Sequence, residues 1–113
     1  TPERLQALSW CAWAYVTYAA MINRLMLATR EGPLRDSVQA AAAGQGAAEL
    51  LALLEDRLAA QPWMLGGEYS LVDLVVAQVV GYGTYVGAGV DGYPAVAAWL
   101  AQVQARPAMQ GEV

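Results

Sequence analysis

Apolar positions along this chain recur at helical spacing, and clusters of proline, glycine and polar residues divide them into four stretches. The first opens with TPERL, a helix start with Thr1 as N-cap, Pro2 in the first helical position and Glu3 near the positive end of the dipole. It runs as one helix to Leu27 or Thr29, until EGP at Glu31 to Pro33 breaks it. A second helix starts around Asp36. Its alanine-rich first half has no large apolar stripe, while Leu51, Leu54 and Leu58 make one in the second; Gly44 and Gly46 predict a bend between them. QPWMLGG reads as a loop, with Pro62 ending the helix. A third helix follows Ser70 and fades near GYGTYVGAG. The fourth is GYPAVAAWLAQVQARP, with Val96, Trp99, Leu100 and Val103 on one face; Pro107 stops it, and AMQGEV adds at most one turn. No stretch alternates like a strand. The expected fold is all-α, a bundle of four to five helices.

One polar position breaks the apolar pattern of the third helix. Asp73 sits among Leu71, Val72, Leu74, Val75 and Val76. Ser70 to Asp73 reads S-x-x-D directly before a helical run, so the Ser70 hydroxyl can accept from the Asp73 N–H while the carboxylate reaches back to the Ser70 N–H. Tyr69 and Leu74 occupy the two positions of a hydrophobic staple, and the helix dipole favours the ionised acid. No partner acid, base or metal ligand lies nearby in sequence, so Asp73 reads as structural.

Composition narrows the function classes. The 113 residues fit one domain, and 58% hydrophobic against 14% charged residues suggests that part of the surface is made to be covered. Net charge is −4 and all six basic residues are scattered arginines, which argues against nucleic acid. With one cysteine and no histidine there is no internal disulfide and no Cys/His metal site, and the default compartment is the cytoplasm. Leu5 to Asn23 carries no charge, but Gln6, Ser9, Thr17 and Asn23 interrupt it and its aromatics cluster centrally instead of forming two belts, so no membrane span is expected. A first residue that is not methionine reads as part of something longer.

The phrase LLEDRLAAQPWMLGGEYSLVDLVVAQVV resembles the core of the helical C-terminal domain of bacterial-type glutathione transferases. That family pairs a leucine-rich helix ending in LE..L with a (Y/W)-L-x-G loop and an (S/T)-x-x-D box. PERLQALSWCAW is similar to its opening phrase and GYPAVAAWLAQVQARPAMQ to its closing one, so the likeness spans nearly the whole chain. Met64 between Trp63 and Leu65 loosens the loop match, and Gly81, Gly83 and Gly87 leave the third helix's length open.

The resemblance implies a parent protein with a thioredoxin-like N-terminal domain in cis, which holds glutathione as cosubstrate and supplies the residue that stabilises its thiolate. It implies a homodimer, no metal, no resident cofactor in this chain, and a hydrophobic electrophile as second substrate. The helical domain would furnish part of that acceptor pocket, with Trp10, Trp13, Thr17 and Met21 along the first helix as candidates and core packing as the alternative for each. No catalytic residue is expected here, and the chain alone is expected to be inactive. A second function remains open: helical domains of this kind also serve as assembly modules on aminoacyl-tRNA synthetases and on the gamma subunit of the eukaryotic elongation factor complex. Elsewhere, Cys11 reads as a small buried hydrophobe, Tyr82 and Tyr85 as packing residues with a place facing the pocket as the alternative, Arg106 as closing a helix C-terminus, and Arg4, Arg24 and Arg30 as a solvated face.

Overall fold

Three glycines, one buried carboxylate and one widened helical turn decide how the helices of this chain meet. The computed structural model describes residues 2–106, apart from the Glu3 side chain. The readings of Thr1, of Glu3 near the dipole, of Pro107 and of a final AMQGEV turn lie outside the described residues. Among the described residues five α-helices form: α1 (Pro2–Ala12), α2 (Ala19–Thr29), α3 (Ser37–Ala60), α4 (Leu71–Tyr85) and α5 (Pro94–Gln104), with a π-helical segment at Trp13–Tyr18 joining the first two. Among the described residues no strand forms; Trp63 and Gly66 make an isolated bridge.

The expected uninterrupted first helix is therefore one rod in three parts. At its centre the Ala19 N–H donates to the Ala14 carbonyl, five residues back instead of four. A π turn places residues five apart over one another, and the Trp13 and Tyr18 rings stack there at 5.4 Å and 18°. Trp10 meets Trp13 edge-on at 5.3 Å. These aromatic contacts favour the wider turn, which no 3.6-residue periodicity can predict.

Asp36 starts α3 as expected, its carboxylate accepting from the Val38 and Gln39 N–H groups at 2.9 and 3.2 Å. The helix then runs without interruption through Gly44 and Gly46. Gly46 marks a close approach: a Cβ built on it would lie 2.6 Å from the Met21 Cε, so the glycine makes room for α2. The alanine half of α3 is not featureless either. Ala43 and Ala47 are buried in line with Leu51, Leu54 and Leu58.

Helix α4 also keeps its regularity, to Tyr85, through the glycines expected to loosen it. A Cβ on Gly81 would meet Gln104 on α5 at 3.3 Å, and one on Gly83 would meet Ile22 at 3.1 Å and the Tyr18 hydroxyl at 3.3 Å. Missing side chains on α4 thus let two neighbours close on it. Val96, Trp99, Leu100 and Val103 bury one face of α5, as their spacing predicts. The start of α5 is held from α3, where Glu55 accepts from the Ala95 and Val96 N–H groups at 3.1 and 2.9 Å and Ala48 accepts from the Tyr93 hydroxyl at 3.1 Å. No helix among the described residues is long and apolar enough to cross a membrane.

Candidate functional site

Asp73 is fully buried at the first turn of α4. Its Oδ2 accepts from the Ser70 N–H at 2.9 Å and from the Ser70 hydroxyl at 3.3 Å. The Ser70 side chain faces the Asp73 amide in reciprocal-cap geometry, although that amide's own bond goes to the Ser70 carbonyl at 3.1 Å. The carboxylate is the arm that matters. Its Oδ1 accepts two further bonds, from the Met64 N–H and the Trp99 Nε1–H, both at 2.8 Å. Asp73 thus ties the 61–70 loop, the start of α4 and the middle of α5 to one point. With its acceptor sites so engaged it is placed to organise structure, not to abstract a proton.

The loop above it is built to the same end. Met64, which loosens the family-like phrase, is fully buried. Its carbonyl accepts from Arg57 Nε at 2.6 Å and from Gln61 Nε2 at 2.9 Å. Arg57 also stands over the Trp10 ring at 4.8 Å and reaches Gln6 at 3.5 Å, so it pins α1 to the loop. Tyr69 packs edge-on against Trp63 at 5.4 Å and carries the Arg106 guanidinium 3.6 Å over its face. Arg106 therefore lies across an aromatic ring, beyond the expected role of closing a helix end. Leu74 is half-buried.

The candidate pocket residues of the first helix are not brought together. Trp10 and Trp13 touch, both half-buried, while Thr17 is exposed and Met21 lies against Gly46 on the α3 side. Trp10 edges an open groove of about 370 Å³ with Leu53, Asp56, Arg57, Ala60 and Gln61. A different groove, about 360 Å³, opens between the first rod and α4, lined by Tyr15, Ala19, Ala20, Asn23 and Tyr82. None of its lining residues is charged. Tyr82 and Tyr85, read first as packing residues and otherwise as facing the pocket, are exposed, Tyr82 as a wall of this groove. Cys11 is half-buried, and Arg4, Arg24 and Arg30 are exposed.

Two buried polar groups beside the groove-forming segment, the Trp13 Nε1–H and the Tyr18 hydroxyl, find no hydrogen-bond partner among the described residues. Burial, and secondarily the neighbouring Tyr93, pushes the Tyr18 phenol far above its ordinary range. No group of three or more His, Cys, Asp or Glu able to hold a metal occurs among the described residues.

The sequence profile of one family, described as the C-terminal domain of glutathione S-transferase, matches residues 36–102. No curated protein matches the chain. Among solved structures, a glutathione transferase from Methylococcus capsulatus str. Bath is similar at 29% identity and a TM-score of 0.83, with 99% of this chain and 53% of that one covered. The apo theta class glutathione S-transferase of the citrus canker pathogen Xanthomonas axonopodis pv. citri is similar at 28% identity and a TM-score of 0.85, covering 100% of this chain and 60% of that one. The same Xanthomonas enzyme has been solved with glutathione bound, and there the TM-score is 0.83. The chain thus spans little more than half the length of these relatives.

Proposed function

The chain belongs to the family of glutathione S-transferase C-terminal domains, and from that premise we propose that it is the C-terminal half of an enzyme conjugating glutathione to hydrophobic electrophiles. In this reading a thioredoxin-like domain in cis holds glutathione as cosubstrate and forms its thiolate. The helical half forms one wall of the acceptor pocket and contributes domain and subunit contacts of a cytoplasmic homodimer.

The observation that carries the reading is the outer face of the first rod. Leu5 and Leu8, one turn apart, are 65% and 63% exposed, and Tyr15 and Val16 further along are 59% and 71% exposed. Large apolar side chains at that exposure on one helix are costly to leave in water, at roughly 25 cal/mol per Å². A second domain laid along the rod would cover them and would close the neighbouring Tyr15–Tyr82 groove from above. Of the residues expected to touch acceptor, Thr17 keeps the exposure such a role needs and Trp10 borders the second groove. Trp13 and Met21 act behind them as packing.

The test is the coding sequence upstream of Thr1 and the protein it specifies. A thioredoxin-like stretch there, and glutathione conjugation to an activated aryl chloride by the whole protein, are the expected results. An initiator codon at that point, or a folded whole protein that leaves glutathione unreacted across an electrophile panel, would overturn the proposal in favour of an assembly module.

A further inference from the structure

The groove between the first rod and α4 has an unusual wall. Tyr82 comes from the central helix, whose neighbouring faces are committed to the core: Gly81 is seated on α5 and Gly83 on Tyr18 and Ile22. At about 100° per residue, a helix fixed inward at both of those positions turns the residue between them to the open side. Tyr82 is accordingly half exposed and lines the groove together with Tyr15. Its hydroxyl donates to the Met26 thioether at 3.0 Å, across from α4 to α2. That bond holds a surface ring that would otherwise be free to turn. Ala19 and Ala20 line the groove with the two rings, and Asn23 adds the one amide.

We infer that Tyr82 is a specificity-determining residue of this groove, held upright by Met26 so that it admits a flat, neutral aromatic ring in preference to an aliphatic chain of similar size. The inference rests on reading the groove as the acceptor site. Two tyrosines that line one groove with small residues offer aromatic surface to a planar ligand, and a ring already held in place, as Tyr82 is, loses less freedom on binding. No lining residue carries a charge, so an ionised ligand gains nothing here, while the Asn23 amide can donate to a nitro or carbonyl substituent. Met26 is a positioning residue: it touches Tyr82 and does not line the groove.

The 113-residue chain, carrying Leu5→Glu and Leu8→Glu to keep its exposed face from self-associating, is titrated, with isotope-labelled amides, against 1-chloro-2,4-dinitrobenzene and against 1,2-epoxyhexane. The expected outcome is shifted amides between residues 15 and 23 with both probes and tighter binding of the aryl compound. Tyr82→Ala removes that preference by about fivefold to tenfold, the range of one aromatic contact, with little change for the epoxide. Tyr82→Phe and Met26→Leu, which keep the volume and break the tether, each remove part of it and leave the unfolding midpoint in place. A purely structural role for Met26 would move the midpoint and not the ratio of the two affinities. An unchanged ratio in Tyr82→Ala, with Tyr15→Ala still weakening both probes, overturns the inference about Tyr82 and leaves the acceptor groove standing. If no amide between 15 and 23 shifts with either probe, the acceptor reading of the groove itself falls.

Discussion

The Trp99 indole donates to the buried Asp73 carboxylate at 2.8 Å, joining the middle of α5 to the first turn of α4. The two residues lie 26 positions apart. Without the carboxylate the indole N–H would be buried unpaired, at a cost of about 1–3 kcal/mol, while the carboxylate also holds the Met64 and Ser70 N–H groups. With the Met64 amide on the same oxygen, one side chain settles the packing of two helices and a loop.

Replacing Asp73 by alanine is therefore expected to cost more than a lost cap, which alone is worth about 1 kcal/mol. The Met64 and Trp99 donors would remain buried and unpaired, bringing the loss to about 3–5 kcal/mol in chemical denaturation. Asp73→Asn, with one acceptor oxygen left, should fall between. A double-mutant cycle with Trp99→Phe should return a coupling of about 1–2 kcal/mol. Additivity of the two changes would show the indole bond to be without energetic weight.

Two glycines offer a contrast of sign. Alanine is favoured over glycine in a helix by about 1 kcal/mol. At Gly46 the atom in the way is the flexible end of a half-buried Met21, which can swing aside, so Gly46→Ala should be neutral or slightly stabilising. At Gly83 the obstacles are Ile22 and Tyr18, both fully enclosed, and overpacking there costs about 1–3 kcal/mol. Gly83→Ala should lower the unfolding midpoint. Equal effects of the two changes in thermal unfolding would contradict this reading of the close approaches.

How legible this was in the sequence follows from the range of each interaction. The stripes Leu51–Leu54–Leu58 and Val96–Trp99–Leu100–Val103 could be read because burial there is decided within one helix. The local half of the Asp73 site, its reach to Ser70, was legible for the same reason. Its bonds to Met64 and Trp99 were not, because tertiary pairing leaves no periodic trace. Glycines told only that the backbone is bare. Whether that means a loose helix or a tight contact depends on what lies opposite, and at Gly46, Gly81 and Gly83 it is the contact. The four first-rod candidates that a straight helix aligns end in different settings, with Trp10 and Trp13 in contact, Met21 against Gly46 and Thr17 exposed.

Tyr18 gives the fold a dependence on alkaline pH. Its phenol ordinarily ionises at 10.0 and is pushed well above that, first by burial and then by Tyr93. Above pH 10 the unfolded chain has released this proton while the folded chain still holds it, so stability present at lower pH is lost as pH climbs. Tyr18→Phe should flatten stability against pH above 10. At neutral pH it should cost little, because the hydroxyl it removes has no partner among the described residues. A persistent alkaline loss in the phenylalanine variant would assign the effect to other groups.

Exposed Leu5, Leu8 and Val16 should make the isolated chain self-associate at micromolar concentration. Light scattering is the measurement, and Leu5→Glu with Leu8→Glu should return it to monomer, since both side chains stand in solvent and their replacement leaves the core intact. A monodisperse wild-type monomer across that range would mean that this face needs no cover.

The isolated chain should not bind glutathione with useful affinity. An extended tripeptide is recognised by free backbone donors and acceptors along its length and by cationic or hydroxyl groups at its carboxylates. The helices here satisfy their own backbones, and Arg57 is engaged by Met64, Gln6 and Trp10. Thiolate formation also needs a donor held at the sulfur. Of the hydroxyl and thiol side chains on the first rod, Tyr18 is enclosed in the core, Cys11 is half-buried against it and Thr29 bonds the Leu25 carbonyl, while Ser9 and Thr17 stand exposed and Tyr15 lines a groove with no cationic group in its wall. Calorimetric titration should show no saturable heat up to millimolar glutathione, about the weakest binding worth calling a site. A dissociation constant below that would place glutathione recognition on the helices themselves and remove the need for a second domain to hold it.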